Sequence, residues 1–294
     1  MSGGADGGSG PAGARGGTGP VERGTTDGGT SAGGGVARIE AAFDAAGREG
    51  RAAFVPYLTA GFPDREGFLG HAEALLEHGD LLEVGLPFSD PLGDGPTVQR
   101  ASERALAAGV GAPETLELVA ALRRRTDKPL VVMSYYNPIY CYPGGEAGFV
   151  DDLRAAGGDG MILPDLPPDE GESLIAAARR ADLGTVFLAA PTSTDERLAL
   201  VAGACRGFVY AVSVTGVTGV RDSLPPELEE LVARTRSAGG RNVAVGFGVA
   251  SAATARRVAR VADGVVVGSA IVRAVEEGRD LSELARELRA GCER

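Results

Sequence analysis

The chain has 294 residues, a formal net charge of −11 and an ordinary apolar fraction of 44%. Its length allows one large α/β domain or two smaller ones, and its acidity argues against nucleic acid or an anionic membrane as a partner, because their phosphates would be repelled. A small phosphorylated ligand is not excluded, since backbone N–H groups can hold a phosphate without Lys or Arg.

Residues 1–35 are rich in Gly, with Ser, Thr, Ala and Pro and almost no large apolar side chains. Such a segment cannot bury enough surface to offset its chain entropy, so we expect a disordered tail. A glycine-rich phosphate loop is the alternative, but no predicted strand precedes these glycines and no helix follows them directly. The ordered domain is therefore predicted to span residues 36–294, and it begins with a helical pattern from Val36 to Glu49.

Short apolar runs alternate with amphipathic stretches through the rest of the chain. Each run is nearly continuous in apolar residues, which is typical of parallel strands buried on both faces. The predicted helices between the runs include Arg65–Glu77, Glu114–Arg125, Glu170–Ala181, Pro226–Ser237 and Ala252–Ala259. The predicted strands are AFVPYLT from Ala53, LLEVG from Leu81, PLVVMSYY from Pro129, GMILP from Gly160, GTVFLAA from Gly184, GFVYAVS from Gly207, NVAVGFG from Asn242 and GVVVGS from Gly264.

A strand followed by a helix, repeated eight times over about 250 residues, is the pattern of a (β/α)8 TIM barrel. A doubly wound open sheet is the competing architecture, and it would show a glycine-rich turn after its first strand. The first run ends instead in TAGFPD, which lacks that spacing. We therefore predict a single barrel with an extra N-terminal helix, and a site at the strand ends that carry polar residues and glycines.

The second run and the loop after it carry three carboxylates. Glu83 lies inside the apolar strand, where burial would raise its pKa toward neutrality and suit it to general acid–base catalysis. The alternative is a Glu that faces the helices and pairs with Lys or Arg. Asp90 and Asp94 lie in a loop that prolines and glycines hold on a tight path. Asp90 could instead be a turn-forming residue, and Asp94 could instead cap the helix that begins at Thr97.

The remaining reactive residue types indicate little. Both histidines, His71 and His78, fall in the helix before the second strand, so neither a histidine base nor a Ser-His-Asp triad is expected. The cysteines, Cys141, Cys205 and Cys292, lack zinc-ligand spacing and predict neither a metal site nor a disulfide framework. No run of roughly 18 apolar residues and no signal-peptide core occur, so a cytoplasmic protein is expected.

Glycines follow the last two predicted strands. Gly246 and Gly248 end the seventh run, and Gly268 and Ser269 end the eighth, where the chain turns into a short helix. Free N–H groups and the positive helix end favour an anion there, and barrels commonly bind phosphate with these two loops. The alternative is that the glycines only make tight turns. The TGVTG segment after the sixth run predicts either a mobile lid or an ordinary surface loop.

The segment EVGLPFSDPLGDGPTVQ, from Glu83 to Gln99, resembles the tryptophan synthase alpha chain family. Supporting segments follow in the family's order: FVPYLTAGFPD, SYYNPIY, PDLPPDE, SVTGVTG, VGFGV and VVGSAIV. The resemblance covers the chain from about Ala53 to the C-terminal helices. It implies a TIM-barrel lyase that splits indole-3-glycerol phosphate into indole and glyceraldehyde 3-phosphate.

This resemblance implies roles for individual residues. Glu83 matches the catalytic glutamate, which moves protons during carbon–carbon cleavage, and Asp94 matches the carboxylate that partners the indole N–H. Thr218 matches the lid threonine, and neither a metal nor an organic cofactor is implied for this chain. The implied indole-pocket residues are Tyr57, Tyr135, Leu163, Tyr210 and Phe247, and the implied phosphate-binding backbone groups are those of Gly219, Gly248, Gly268 and Ser269.

The resemblance also implies a partner. The family works with a beta chain, which uses pyridoxal phosphate and receives the indole, in an alpha2beta2 assembly. The segments Pro87–Asp94 and Tyr136–Tyr142 would meet that chain, with Asp90 as a coupling residue. This sequence departs from the family pattern in its tail, in a lid without a basic residue, and in one residue that is missing before Glu83 in EHGDLLEVG. None of these departures removes a catalytic group.

Two alternatives stay open. One is another phosphate-binding barrel, such as an indole-glycerol-phosphate synthase or a phosphoribosylanthranilate isomerase. The synthase would require a lysine at the barrel mouth, whereas the ordered part has only Lys128, before the third strand. The other is a catalytically silent alpha-like subunit that only activates a beta partner, and the presence of both Glu83 and Asp94 argues against it.

Overall fold

The computed structural model describes Met1, Gly3 and residues 33–212, 224–246 and 248–294. Within these ranges eight parallel strands pair in chain order, and the eighth pairs back to the first, so the sheet closes into a barrel. The predicted (β/α)8 architecture is confirmed. The strands are β1 (Ala53–Thr59), β2 (Leu82–Gly85), β3 (Leu130–Met133), β4 (Gly160–Leu163), β5 (Gly184–Ala189), β6 (Val209–Val212), β7 (Val243–Gly246) and β8 (Gly264–Val267).

Helices follow the strands, and several begin at a polar residue that caps their first turn. Asp64 accepts the N–H of Gly67 at 2.8 Å, and Thr194 and Ser251 accept comparable bonds, which satisfy N–H groups without a partner inside the helix. The helices are α1 (Gly35–Arg48), α2 (Arg65–His78), α3 (Pro96–Ala107), α4 (Ala112–Arg123), α5 (Tyr136–Tyr140), α6 (Gly145–Ala155), α7 (Glu172–Arg180), α8 (Asp195–Ala204), α9 (Pro226–Ser237), α10 (Ala252–Ala259), α11 (Ser269–Glu276) and α12 (Leu281–Gly291).

One compact unit spans Ala32–Arg294 and holds every one of these elements. The proposed tail, residues 1–35, lies almost wholly outside the described residues, so its disorder and its boundary stay predictions. Among the described residues no single helix is long and apolar enough to cross a membrane. Only α3 and α4 taken together meet that test of length and composition, and the two are bent by 98°.

Alternation along the strands decides which side chains face the barrel axis. Successive strand residues point to opposite sides of a sheet. Val55, Val131 and Ile162 belong to an interior cluster, whereas Leu58 and Leu163 pack in the outer cluster between the barrel and its helices. Side chains in the same phase as the interior set are therefore those that can reach a cavity inside the barrel.

The helix α1 closes the barrel at the end where the strands begin. A Cβ added to Gly160 or Gly184 would lie 3.1 or 2.9 Å from the side chain of Ile39. A Cβ added to Gly264 would lie 2.8 Å from the ring of Phe43. These glycines open β4, β5 and β8, so their missing side chains make room for the helix. We call this the closed end, and the opposite rim, where the strands finish, the open end.

A buried carboxylate stabilises the closed end. Asp159, just before β4, is fully buried and pairs with Arg38 of α1 and Arg123 of α4, the latter at 2.7 Å. Its Oδ2 also accepts the N–H of Leu130 at 2.8 Å. Burial raises the pKa of Asp159, and the hydrogen bond from Leu130 and the two guanidinium groups oppose that rise. The cluster ties α1, α4, β3 and β4 together.

The turn before β2 is the place where this sequence has one residue fewer than the family pattern. Asp80 accepts the N–H of Phe54 at 2.7 Å and a double hydrogen bond from Arg51, at 2.6 and 2.8 Å, which fixes the short turn against β1. Glu83 follows in register with Tyr57 on β1 and Val131 on β3. The shortened turn therefore leaves Glu83 in the same phase as the interior set.

Candidate active site

A cavity of about 480 Å³ lies at the open end of the barrel. Residues from the motifs at β1 and β2 and from those after β7 and β8 converge on this cavity. Most of its wall is apolar. Of the predicted site residues, the cavity is lined by Tyr57, Glu83, Asp94, Tyr135, Tyr210, Gly248, Gly268 and Ser269. The structure thus brings together residues from β1, β2 and β6 and from the segments after β2, β3, β7 and β8.

Glu83 is the most deeply buried carboxylate of this cavity, with 1% of its surface exposed. Its Oε2 atom has no hydrogen-bond partner among the described residues. Burial, and then the negative charge of Asp94, raise the pKa of Glu83 to about 8. The alternative of a Glu that faces the helices is therefore wrong, and this carboxyl is protonated near neutral pH yet able to give up its proton.

Asp94 lies beside the cavity in the loop between β2 and α3. Burial raises its pKa to about 6, and a hydrogen bond from the Tyr135 hydroxyl opposes that rise. The carboxylate does not cap α3, because the helix begins at Pro96 with Gly95 as its cap and no side-chain cap bond. Asp94 is thus available to a ligand, and it is mainly ionised near neutral pH. Asp90 is exposed and accepts a 2.6 Å hydrogen bond from Ser89.

Two tyrosines lie across glycines of the neighbouring strand. A Cβ on Gly85 would be 2.1 Å from the Tyr57 hydroxyl oxygen, and a Cβ on Gly246 would be 2.1 Å from that of Tyr210. Each glycine is therefore required by the tyrosine beside it. For Gly246, the packing of Tyr210 is enough to explain why the residue is a glycine, and a role in phosphate binding is not needed to explain it. The two rings form facing parts of the cavity wall, and the Tyr57 hydroxyl bonds to Thr59 at 3.1 Å.

The far side of the cavity offers backbone N–H groups instead of carboxylates. Gly268 is the cap residue of α11, which begins at Ser269, and both residues line the cavity. Gly248 also lines it and has a φ of 83°, a left-handed conformation that suits glycine. No Lys or Arg lies on the described wall. An anion bound here would therefore be held by N–H groups and by the positive end of α11.

Some predicted residues lie elsewhere. Leu163 does not line the cavity: it packs in the outer cluster, and its neighbour Ile162 faces the cavity, so the assignment was wrong by one strand position. Thr218, Gly219 and Phe247 lie outside the described residues, so their roles stay predictions. The wall also contains residues that the sequence motifs did not single out: Phe88, Met133, Ile162, Asp165, Leu188 and Val266.

The remaining candidates for acid–base work lie away from the cavity. His71 and His78 are both in α2, as predicted, and neither is a lining residue. The ammonium group of Lys128 donates to the carbonyls of Leu76 and Gly79, the latter at 2.9 Å. This lysine therefore does not reach the open end, where an indole-glycerol-phosphate synthase would require one. The titratable side chains on the described part of the cavity wall are therefore carboxyl groups and tyrosine hydroxyl groups.

Comparison with known proteins gives one consistent result. The model of the tryptophan synthase alpha chain family matches residues 43–293. A tryptophan synthase alpha chain of Deinococcus radiodurans is 55% identical over 261 residues, which are 88% of this chain and 96% of that relative. The corresponding chain of Acidothermus cellulolyticus is 48% identical, over 84% and 93% of the two. A structure of Mycobacterium tuberculosis tryptophan synthase is similar with a TM-score of 0.81 and 45% identity, covering 87% of this chain and 98% of that one.

Proposed function

Because the chain belongs to the tryptophan synthase alpha chain family, we propose that Glu83 and Asp94 are the catalytic residues of its lyase reaction. This reaction, a step of tryptophan biosynthesis, cleaves indole-3-glycerol phosphate to indole and glyceraldehyde 3-phosphate. The observation that carries the residue assignment is that a buried and a half-buried carboxyl group, with pKa values near 8 and 6, share one cavity.

The reaction requires one proton to move onto carbon and one to leave oxygen. Protonated Glu83 donates its proton to C3 of the indole ring, which places positive charge on the ring nitrogen. The carboxylate of Asp94 stabilises that charge in a largely apolar cavity. Ionised Glu83 then takes the proton of the hydroxyl next to the breaking bond. A carbonyl forms, the carbon–carbon bond breaks, and its electron pair restores the indole ring.

The substrate's orientation follows from the division of the cavity. The carboxylates lie at the β2 side and would repel a phosphate, whereas Gly248, Gly268 and Ser269 present N–H groups at the β7 and β8 side. The phosphoryl group therefore lies against the N-terminus of α11, and the indole lies between the tyrosines. Thr218, Gly219 and Phe247 are assigned by resemblance to the lid, the phosphate site and the indole pocket.

A beta chain is part of this proposal. Leu92 and Tyr140 are large apolar residues with 93% and 65% of their surface exposed, and they lie in the segments Pro87–Asp94 and Tyr136–Tyr142. Exposed apolar groups beside a cavity mouth are typical of a protein interface. We assign both segments to the beta-chain contact of an alpha2beta2 assembly in the cytoplasm. Pyridoxal phosphate would belong to the beta chain, and this chain would work without a cofactor.

The test is an indole-release assay on indole-3-glycerol phosphate, with and without a beta chain. Loss of the proton-transfer group in Glu83→Gln should lower kcat by about 10³-fold while folding persists. Glu103→Gln is the matched control, because Glu103 is exposed on α3 and does not line the cavity.

Each outcome of that assay has a definite meaning. Unchanged turnover in Glu83→Gln would refute the assigned role. Activation of a beta chain by a wild-type protein that releases no indole would identify a silent subunit instead. Full activity alone, together with no binding to a beta chain, would remove the assembly from the proposal.

A further inference from the structure

Tyr135 makes three contacts with the loop that carries Asp94. It follows β3 by two residues, and its ring lies 5.3 Å from that of Phe88, measured between centroids. Its hydroxyl accepts the N–H of Gly93 at 2.9 Å. The same hydroxyl lies close to the carboxylate of Asp94 and lowers the pKa of that group, as a hydrogen-bond donor does. One side chain on the rigid barrel therefore holds the beginning and the end of the loop.

We propose that Tyr135 is a positioning residue for catalysis, which fixes the Asp94 carboxylate at the indole N–H through its hydroxyl. As an indole-pocket residue Tyr135 would contribute through its ring, whereas in this role it contributes through its hydroxyl group. It rests on the proposed role of Asp94.

The geometry of the hydroxyl sets the direction in which it acts. A phenol oxygen carries one proton, and the N–H of Gly93 already occupies its acceptor side. Its own proton is therefore free to turn toward Asp94, and a bond of this kind is strong only when Asp94 is ionised. Without that bond, burial would raise the pKa of Asp94 further. The hydroxyl of Tyr135 therefore favours the ionised form of Asp94.

The other groups that face Asp94 do not take over this role. Glu83 lies across the cavity and is negative when ionised, and Tyr57 and Tyr210 come from β1 and β6. Asp90 and Asp165 add further negative charge to the wall, and no Lys or Arg lines its described part. Burial is what makes ionisation of Asp94 harder, and the Tyr135 hydroxyl is the group that opposes it.

The experiment is a pH profile of kcat/KM for indole release by the wild type and by Tyr135→Phe. The acid limb of the wild type is expected near pH 6, and in the variant it should move up by about one pH unit, because a hydrogen bond to a charged group is lost. The substrate phosphate titrates identically in both proteins, so it does not contribute to the difference. Thr115→Val is the control, since it also deletes a buried hydroxyl, bonded at 2.8 Å to Gly111 in α4, outside the cavity.

A double-mutant cycle with Asp94→Asn separates positioning from a general structural effect. If Tyr135 acts through Asp94, adding Tyr135→Phe to Asp94→Asn should cause no further loss of kcat and no shift of a limb. Equal losses in both backgrounds, or an unmoved acid limb in Tyr135→Phe, would overturn the inference while leaving the catalytic assignment intact. Unchanged activity of Asp94→Asn would overturn the catalytic assignment itself. Urea unfolding of each variant checks that the folded protein is compared.

Discussion

The two ends of the barrel each bury a carboxyl group, and they treat it in opposite ways. At the closed end Asp159 is paired with two arginines and a backbone N–H. At the open end Glu83 keeps an oxygen, Oε2, without a partner among the described residues. Burial raises the pKa of both groups, but guanidinium charges oppose the rise only for Asp159. Burial alone therefore does not distinguish the two ends, whereas the presence or absence of a positively charged partner for the buried carboxyl does.

The largest effect on stability is expected at the closed end. Asp159→Asn leaves the partly buried Arg38 and Arg123 without their counter-charge, which should lower the free energy of unfolding by about 3 kcal/mol. Activity per folded molecule should be unchanged, because the site lies at the other end of the barrel. Urea unfolding and an indole assay on the folded fraction measure the two quantities. A stable but inactive Asp159→Asn variant would contradict the conclusion that the closed end supports stability and the open end supports catalysis.

The next effect is expected on the reaction. Asp94→Asn keeps the shape of the side chain but removes the charge that stabilises the protonated indole ring, so kcat should fall by about 10²-fold, or roughly 2.7 kcal/mol of barrier. The free energy of unfolding should not fall, since a half-buried charge is removed. Steady-state kinetics and a melting curve test both statements. A loss of stability comparable to that of Asp159→Asn would place Asp94 with the structural carboxylates.

The pH dependence of stability sharpens the comparison further. The pKa of Glu83 rises from 4.5 to about 8 on folding, so between these values the folded chain binds a proton that the unfolded chain releases. Stability from this group is therefore full below pH 4.5 and falls as the pH rises to 8, by about 1.4 kcal/mol per pH unit. Glu83→Gln removes this slope. Unfolding free energies of both proteins at pH 5.5 and 7.5 give the measurement. The variant should gain stability relative to the wild type between these two pH values. A difference between the proteins that does not change with pH would contradict the raised pKa of Glu83.

The smallest effect is expected at an exposed ion pair. Glu73 bonds to Arg125 at 3.1 Å, and their side chains are 46% and 43% exposed. Glu73→Gln makes the same chemical change as Asp159→Asn in a solvated setting, so the free energy of unfolding should fall by about 0.5 kcal/mol or less. Urea unfolding at two salt concentrations gives the measurement. A loss near that of Asp159→Asn would mean that burial is not what separates the two pairs.

The sequence predicts the barrel well because its signal is repeated. Eight apolar runs, each followed by an amphipathic helix, leave few arrangements of the chain, but they leave open whether Glu83 faces the barrel axis or the helices. Phase also explains the failure at Leu163, because a run that is apolar at every position does not show which residues face the axis. The interior partners settle it: Ile162 packs with Val131, and Leu163 does not.

Contacts made by loops are harder to predict. The hydroxyl of Tyr135 reaches Gly93 over 42 residues of sequence, and neither residue carries a local pattern that indicates the other. The glycines are ambiguous for the same reason. Gly246 and Gly268 both end strands, yet one accommodates the Tyr210 ring and the other caps α11 beside the cavity. Only the fold shows which neighbour each glycine serves.

Ile39 and Phe43 of α1 fill the barrel interior at the closed end, so the cavity formed by the described residues opens at the opposite rim. Entry and exit at one rim mean that the fragment that binds nearest the mouth departs before the deeper one is freed. The order of product release is therefore set by the architecture of the barrel as well as by the bond-breaking step.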